Sequence, residues 1–283
     1  MNYRLGPVFL NCFVLVLATF VCGCQALRET GVAPTELKAG SPDAPSQITP
    51  SEALRNAEVY CKHAWRPFAR NILHGNDRSG IRVDTPDVTY VPPSGLKGWW
   101  LPGSLNVGIP YKWGGFDDPA TFDAGVASGL AAGDVSSPAK RAADNAGVSA
   151  HAVGVDCSGF VSRCLNLPRI YDSSQLPAIC DPLPDPLDLR PGDLLNIPRQ
   201  HVMIVAGWAK PDKSWILYYE TGGIPEWKPA LKISPLSALL ELGFQPLRYK
   251  GMAREDVPTG KEVLTRSVIA KAVVVPHPIV GAP

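Results

Sequence analysis

The stretch Val155-Asp156-Cys157-Ser158-Gly159-Phe160-Val161-Ser162-Arg163-Cys164-Leu165 places a cysteine at the start of an amphipathic helical pattern. A thiol at a helix tip faces unpaired backbone N–H groups and the positive end of the helix dipole, and both stabilise the thiolate, the nucleophilic form of cysteine. Downstream, His201-Val202-Met203-Ile204-Val205-Ala206-Gly207-Trp208 is a short apolar run opened by a histidine, and it reads as a strand. A cysteine on a helix tip and a histidine on a strand are the parts of a Cys–His nucleophilic site.

Bulk properties narrow the class. The chain has 283 residues, a formal net charge of +1, 19% charged and 45% apolar residues. It is long enough for one or two domains with a sizeable core, and its composition is globular. No basic excess points to nucleic acid, and no acidic run forms a tail. Prolines (29) outnumber glycines (26), which predicts many rigid loops and few long helices.

The N-terminus reads as a targeting segment. Arg4 supplies a positive charge, and Val8 to Val21 is apolar apart from Asn11 and Thr19. That length suits a secretory signal better than a membrane span. The segment ends in Val21-Cys22-Gly23-Cys24, which resembles a bacterial lipobox. The resemblance implies removal of residues 1–23 and lipidation of Cys24, anchoring the protein to a membrane of the cell envelope; an ordinary signal peptide cut after Ala26 is the alternative. Gln25 after the anchor implies the outer membrane in a diderm cell. Of the seven cysteines, Cys61, Cys157, Cys164 and Cys180 then remain. There is no CxxC pair, so a zinc site is not expected; a Cys–His nucleophilic site needs no metal or organic cofactor. Export permits a disulfide, with Cys61–Cys180 and Cys164–Cys180 as candidates. Cys164, seven residues after Cys157 on the same helix face, is expected in the core.

Residues 24–50 form a Pro-, Ser-, Ala- and Gly-rich tether without periodicity. Residues 51–108 form an N-terminal ancillary region. It opens on a helix capped by Ser51, with strand candidates at 81–83 and 88–91. Helices are predicted over Pro119–Ala132, Ser136–Ala146 and Asp156 to about Leu167, where Pro168 follows. Residues 168–192 are a proline-rich connection. Strands are expected at 193–197, 201–208, 215–220, about 230–233 and 244–249, and residues 251–283 form a C-terminal extension.

Four segments now stand in order: Pro110-Tyr111-Lys112-Trp113-Gly114-Gly115, Asp156-Cys157-Ser158-Gly159-Phe160-Val161, Arg190-Pro191-Gly192-Asp193-Leu194 and His201-Val202-Met203-Ile204. Together they resemble the successive motifs of the NlpC/P60 family of papain-like cysteine peptidases. Each segment is weak alone; the set is specific. The resemblance implies an α+β, papain-like catalytic domain over residues 109–250, with the nucleophile helix packed on an antiparallel sheet. It also implies hydrolysis of peptidoglycan stem peptides, usually at a D-glutamyl linkage to a diamino acid. Cys157 corresponds to the nucleophile and His201 to the general base. The family's third residue is polar and lies on the next strand. A hairpin turning at Pro211-Asp212 brings residues 220–222 opposite His201, so Glu220 is the candidate and Thr221 the fallback. A glutamate is a departure, since His, Asn or Gln is usual. Tyr111 matches the family tyrosine beside the nucleophile. Asp156, Ser158 and Trp113 fall at substrate-side positions.

Structural readings of the same residues stand beside these. Asp156 serves equally as the cap of the Cys157 helix, Tyr111 and Trp113 as packed aromatics, and Glu220 as a solvated strand residue. His151 precedes Cys157 by only six positions and is the other histidine to locate. The 46 residues from Tyr111 to Cys157 exceed the usual family spacing, so 116–154 is an insertion expected to cover or line one side of the cleft. The rival functions are a cell-wall amidase or acyltransferase on the same fold, and a silent envelope module that binds wall peptides. The sequence sets no oligomeric state.

Overall fold

The fold begins at Thr49, whose hydroxyl accepts from the Glu52 N–H at 3.2 Å while the Glu52 carboxylate accepts from the Thr49 N–H at 2.9 Å. This capping box starts helix α1 (Pro50–Lys62). The cap is therefore Thr49 and not Ser51: Pro50 at the first helical position needs no N–H there, which moves the cap one residue before it. The computed structural model describes residues 47–92, 95, 97–222, 226–255 and 272–275. They belong to one compact unit, Glu36–Pro283. The expected signal peptide, Cys24, nearly all of the tether and most of the C-terminal extension lie outside the described residues.

In the ancillary region, β1 (Ala64–Trp65) pairs with β4 (Asn106–Val107), and β2 (His74–Asn76) forms a hairpin with β3 (Arg82–Asp84). The strand expected at 88–91 is a turn instead. Asp87 captures it: one carboxylate oxygen accepts from the Thr89 N–H at 2.8 Å and the other from the Thr85 hydroxyl at 2.7 Å, using the donor that a ladder would need.

Helix α2 (Pro119–Ser128), capped by Asp118, stops at Gly129 rather than running to Ala132, because Ala131–Ala132 become β5, paired parallel with β6 (Ala152–Val153). Helix α3 (Pro138–Ala143) is capped by Ser137 and gives way to a 3₁₀ turn at Asp144–Gly147, so it is shorter than expected. Helix α4 (Cys157–Cys164) ends before Leu167, where Asn166 turns left-handed at φ 56°.

The remainder builds one large sheet: β7 (Cys180–Pro182), β8 (Leu194–Ile197), β9 (His201–Trp208), β10 (Trp215–Glu220), β11 (Ala230–Pro235), β12 (Gln245–Tyr249) and β13 (Val273–Val274). Helix α5 (Leu236–Glu241) lies between β11 and β12 in the chain. The strand order is β13-β11-β10-β9-β8-β12-β7, with seven strands antiparallel throughout except for the parallel β13–β11 pair. Alternation along the strands separates two faces. Val202, Ile204, Leu217, Tyr219 and Ile233 pack in the main core with residues of α1 and α4. Leu195, Met203, Val205, Ile216 and Tyr218 pack with Leu236 and Leu239 of α5. The architecture is mixed α+β, as expected.

Helix α1 buries Ala53, Ala57 and Tyr60, and the Tyr60 ring meets Phe160 of α4 edge-on at 5.7 Å. Asn56 Nδ2 donates to the Cys164 carbonyl at 3.1 Å. Cys61, Cys157, Cys164 and Cys180 are all free thiols, so neither candidate disulfide forms. Among the described residues no helix is long and apolar enough to cross a membrane.

Candidate active site

Helix α4 presents Cys157 because its N-terminus is fixed by one carboxylate. Asp156 Oδ1 accepts from the Gly159 N–H at 2.6 Å and from the Ser158 hydroxyl at 2.9 Å, and Oδ2 accepts from the Gly114 N–H at 3.1 Å. The carboxylate thus caps the helix and pins the 113–115 loop to it. Ser158 is buried and its hydroxyl is committed to that cap. These contacts account for Asp156 and Ser158 as structural groups.

Against the helix tip stands His201, the first residue of β9. Its imidazole lies near the Cys157 thiol, which helps to hold the ring protonated, and Nε2 lies 2.5 Å from Glu220 Oε2. The imidazole edge packs on Phe244 at 6.1 Å, which limits its rotation.

The sheet register explains why Glu220 reaches the ring. Ile216 pairs with Trp208 and Leu217 with Gly207, but a bulge then pairs Tyr218 with Val205 and Tyr219 with Ile204. Continued, that register puts Gly222 opposite His201 and Glu220 diagonal to it on the same face, within reach of a long side chain. Thr221 alternates to the other face, fully buried, and its hydroxyl has no partner among the described residues. Glu220 is therefore the residue that meets the imidazole.

Burial opposes a charged imidazole, but the Glu220 carboxylate and the Cys157 thiol outweigh it and push His201 up to about 10. Burial likewise opposes a charged Glu220, yet His201 and then Lys232 hold it down at about 2. The signs give a pH window. The raised His201 contributes stability that is complete below its unfolded value of 6.5 and lost as pH rises toward 10. The depressed Glu220 contributes stability that is complete above its unfolded value of 4.5 and lost as pH falls toward 2. The stability difference between wild type and Glu220→Gln, measured by denaturant unfolding, is therefore expected to be greatest and flat between those two unfolded values and to shrink on either side. A difference that keeps growing above neutral pH would contradict the pairing.

Tyr111 lies near Cys157 because residues 110–112 bridge Val155: the Lys112 N–H donates to the Val155 carbonyl at 3.0 Å and the Val155 N–H to the Pro110 carbonyl at 3.2 Å. Its ring packs over Gly222, where a Cβ would sit 2.7 Å from a ring carbon, so only glycine leaves room for it. Burial, then the proximity of Cys157 and Asp156, raises its phenol well above the ordinary value. Tyr111 thus stays a neutral hydroxyl, able to donate a hydrogen bond. Trp113 packs in the same aromatic cluster, and its indole N–H donates to the Asp144 carbonyl at 3.3 Å.

The insertion borders this side of the site. The Asp134 N–H donates to the Tyr111 carbonyl at 2.8 Å and the Trp113 N–H to the Asp134 carbonyl at 2.8 Å. The buried Asp134 carboxylate is held by Lys140 Nζ at 2.6 Å. These bonds tie residues 111–113 to Asp134 of the insertion. His151 is elsewhere, with Nδ1 3.4 Å from Asp77.

The structure thus brings Cys157, His201, Glu220 and Tyr111 together, sets Asp156 and Ser158 into the helix cap, and leaves Cys24 outside the described residues. Two residues of the site were not anticipated. Lys232 Nζ sits 2.6 Å from Glu220 Oε1 and 3.1 Å from Glu226 Oε2. The only signal for Lys232 in the sequence is a lysine inside an otherwise apolar strand. Among the described residues no group of three or more His, Cys, Asp or Glu side chains could hold a metal ion. No protein-family model, curated protein or solved structure matches the chain.

Proposed function

We propose that the protein is a papain-like cysteine hydrolase of the NlpC/P60 type that cleaves peptidoglycan stem peptides at a D-glutamyl linkage to a diamino acid. The observation that carries the reading is the arrangement of Cys157, His201 and Glu220: a thiol on a helix tip near a part-buried imidazole whose Nε2 is held by a carboxylate. The four sequence motifs supply the substrate class by resemblance. The lipobox-like Cys24 supports a location in the cell envelope, anchored by lipid.

In this reading His201 takes the Cys157 proton, and the thiolate attacks the scissile carbonyl. Negative charge develops on the carbonyl oxygen, where the Cys157 backbone N–H and the Tyr111 hydroxyl are the donors. The imidazolium then gives its proton to the departing amine, leaving a thioacyl enzyme. Water, deprotonated by His201, attacks that ester, and the acid leaves with Cys157 restored as a thiol. Glu220 holds the ring in one orientation and balances its charge throughout.

Soluble protein starting at Gln25 is expected to cleave muropeptides or free stem peptides in a Cys157-dependent way, with products identified by mass spectrometry. Product masses name the bond. A reactive Cys157 without cleavage of any wall peptide would replace the peptidase reading with another acyl substrate. An unreactive thiol would favour the binding-module reading.

A further inference from the structure

We infer that Lys232 is a positioning residue of this site: it holds Glu220 in the orientation that grips His201 and offsets its charge, so that a carboxylate can do what a neutral side chain does in most Cys–His sites. The inference rests on the Cys157–His201 reading above.

The geometry is specific. Lys232 lies on β11 opposite Tyr218 of β10, and Glu220 is two residues further along β10 on the same face. Its Nζ reaches Glu220 Oε1 at 2.6 Å, while the other carboxylate oxygen, Oε2, is the one 2.5 Å from His201 Nε2. The two oxygens of Glu220 are thus divided between an imidazole and an ammonium. Nζ also reaches Glu226 Oε2 at 3.1 Å, and the lysine side chain is only 6% exposed. A lysine that deep is rarely found without a paired charge, and here it has two.

The charges form a closed set. His201 as imidazolium and Lys232 are two cations, and Glu220 and Glu226 are two anions. Among the described residues, the titratable groups around Lys232 are these three, with the Tyr218 phenol beside them on β10 and the Cys157 thiol beyond His201. The β13 neighbour is Val273, which is apolar. A buried carboxylate facing the imidazole alone would hold the ring protonated and slow the step in which His201 must act as a base. A cation on the far oxygen weakens that hold while fixing the carboxylate in place.

The sign of the effect follows from Coulomb's law. Removing a buried positive charge makes neighbouring groups harder to deprotonate, so His201 and Glu220 titrate at higher pH, and with them the reactivity that depends on His201. The test is the rate of Cys157 alkylation by iodoacetamide against pH, in the full chain, for wild type, Lys232→Met, Lys232→Arg, Glu220→Gln and the double variant Glu220→Gln/Lys232→Met. The rate profile of Lys232→Met is expected to move alkaline by about one unit on both limbs, with a loss of about tenfold on the acid side. Lys232→Arg keeps the charge and is expected to return the limbs to their wild-type positions. The double variant should lose less relative to Glu220→Gln than Lys232→Met loses relative to wild type, because the positioning by Lys232 runs through that carboxylate.

A purely structural lysine would lower the rate without moving the limbs, and its loss would add to that of Glu220→Gln; either result overturns the inference. If Lys232→Met does not fold, Lys232→Arg still decides it: limbs displaced from their wild-type positions although the charge is kept would overturn the inference. A wild-type thiol that reacts rapidly in a His201-dependent manner, with Lys232→Met indistinguishable from it, would overturn this inference and leave the hydrolase reading standing. An inert wild-type thiol would overturn both.

Discussion

Replacing Cys157 by alanine is expected to abolish rapid thiol alkylation and to lower turnover by about four orders of magnitude or more, with the fold retained. The other described thiols cannot substitute for it. Burial pushes Cys61 and Cys180 up to about 12, and it raises Cys164 further above its ordinary value. None of them offers appreciable thiolate near neutral pH, and none is hydrogen-bonded to a histidine. Cys157 is half-buried at the helix tip and in contact with His201. The fold should survive, because alanine fits the first turn of a helix and the cap is made by Asp156, not by the thiol. Unfolding free energy is expected to change by about 1 kcal/mol or less. Mass-spectrometric mapping of alkylated cysteines after a brief exposure checks the first part, and a thermal melt checks the second. Rapid labelling that persists in Cys157→Ala would assign the nucleophile elsewhere.

The second large effect concerns stability at the same helix. Gly159 lies against the Gly115 carbonyl so closely that a Cβ at position 159 would sit 1.8 Å from that oxygen. The obstacle is backbone, not a flexible side chain, so it cannot swing aside. The loop that would have to retreat is held by Asp156, whose N–H donates to the Gly115 carbonyl at 3.1 Å and whose carboxylate holds Gly114. Arg163 grips the next residue, donating to the Phe116 carbonyl at 2.7 and 2.9 Å. Gly159→Ala is therefore expected to destabilise the protein by about 3 kcal/mol or more, lowering the melting temperature by about 10 °C. Thiol reactivity should fall with it, because the same displacement moves Cys157 away from His201. A Gly159→Ala protein that melts like wild type would show that the loop is not held as tightly as these contacts require.

Both predictions concern residues that stand out in the sequence, and the contrast with Lys232 shows where a one-dimensional reading ends. Cys157 and the helix after it were legible because capping is local: Asp156 bonds the Gly159 N–H three residues on, within a single turn. His201 was legible because it opens an eight-residue apolar run, and strand period and length are properties of the segment itself. Glu220 followed from hairpin counting, although a bulge near Ala206 made it the diagonal neighbour of His201 instead of its direct opposite. The α+β class came from the same local periodicities.

What tertiary structure alone decided involves partners far apart in the chain or hidden by composition. The segment at 88–91 has the β-branched residues of a strand, but the buried Asp87 takes its backbone N–H into a turn. Residues 180–182 hold a proline and no alternation, yet they form β7, because Tyr249, Arg248 and Leu247 of β12 present a free edge to them. Helix α5 is too short for its period to be read. The division of Glu220 between His201 and Lys232 depends on three strands meeting in register, and no window of sequence contains that geometry. Local rules placed Cys157 on its helix tip, His201 on its strand and the class of fold; the electrostatic balance around Glu220 was set only when β9, β10 and β11 came together, because charge interactions depend on distance in space and not on separation along the chain.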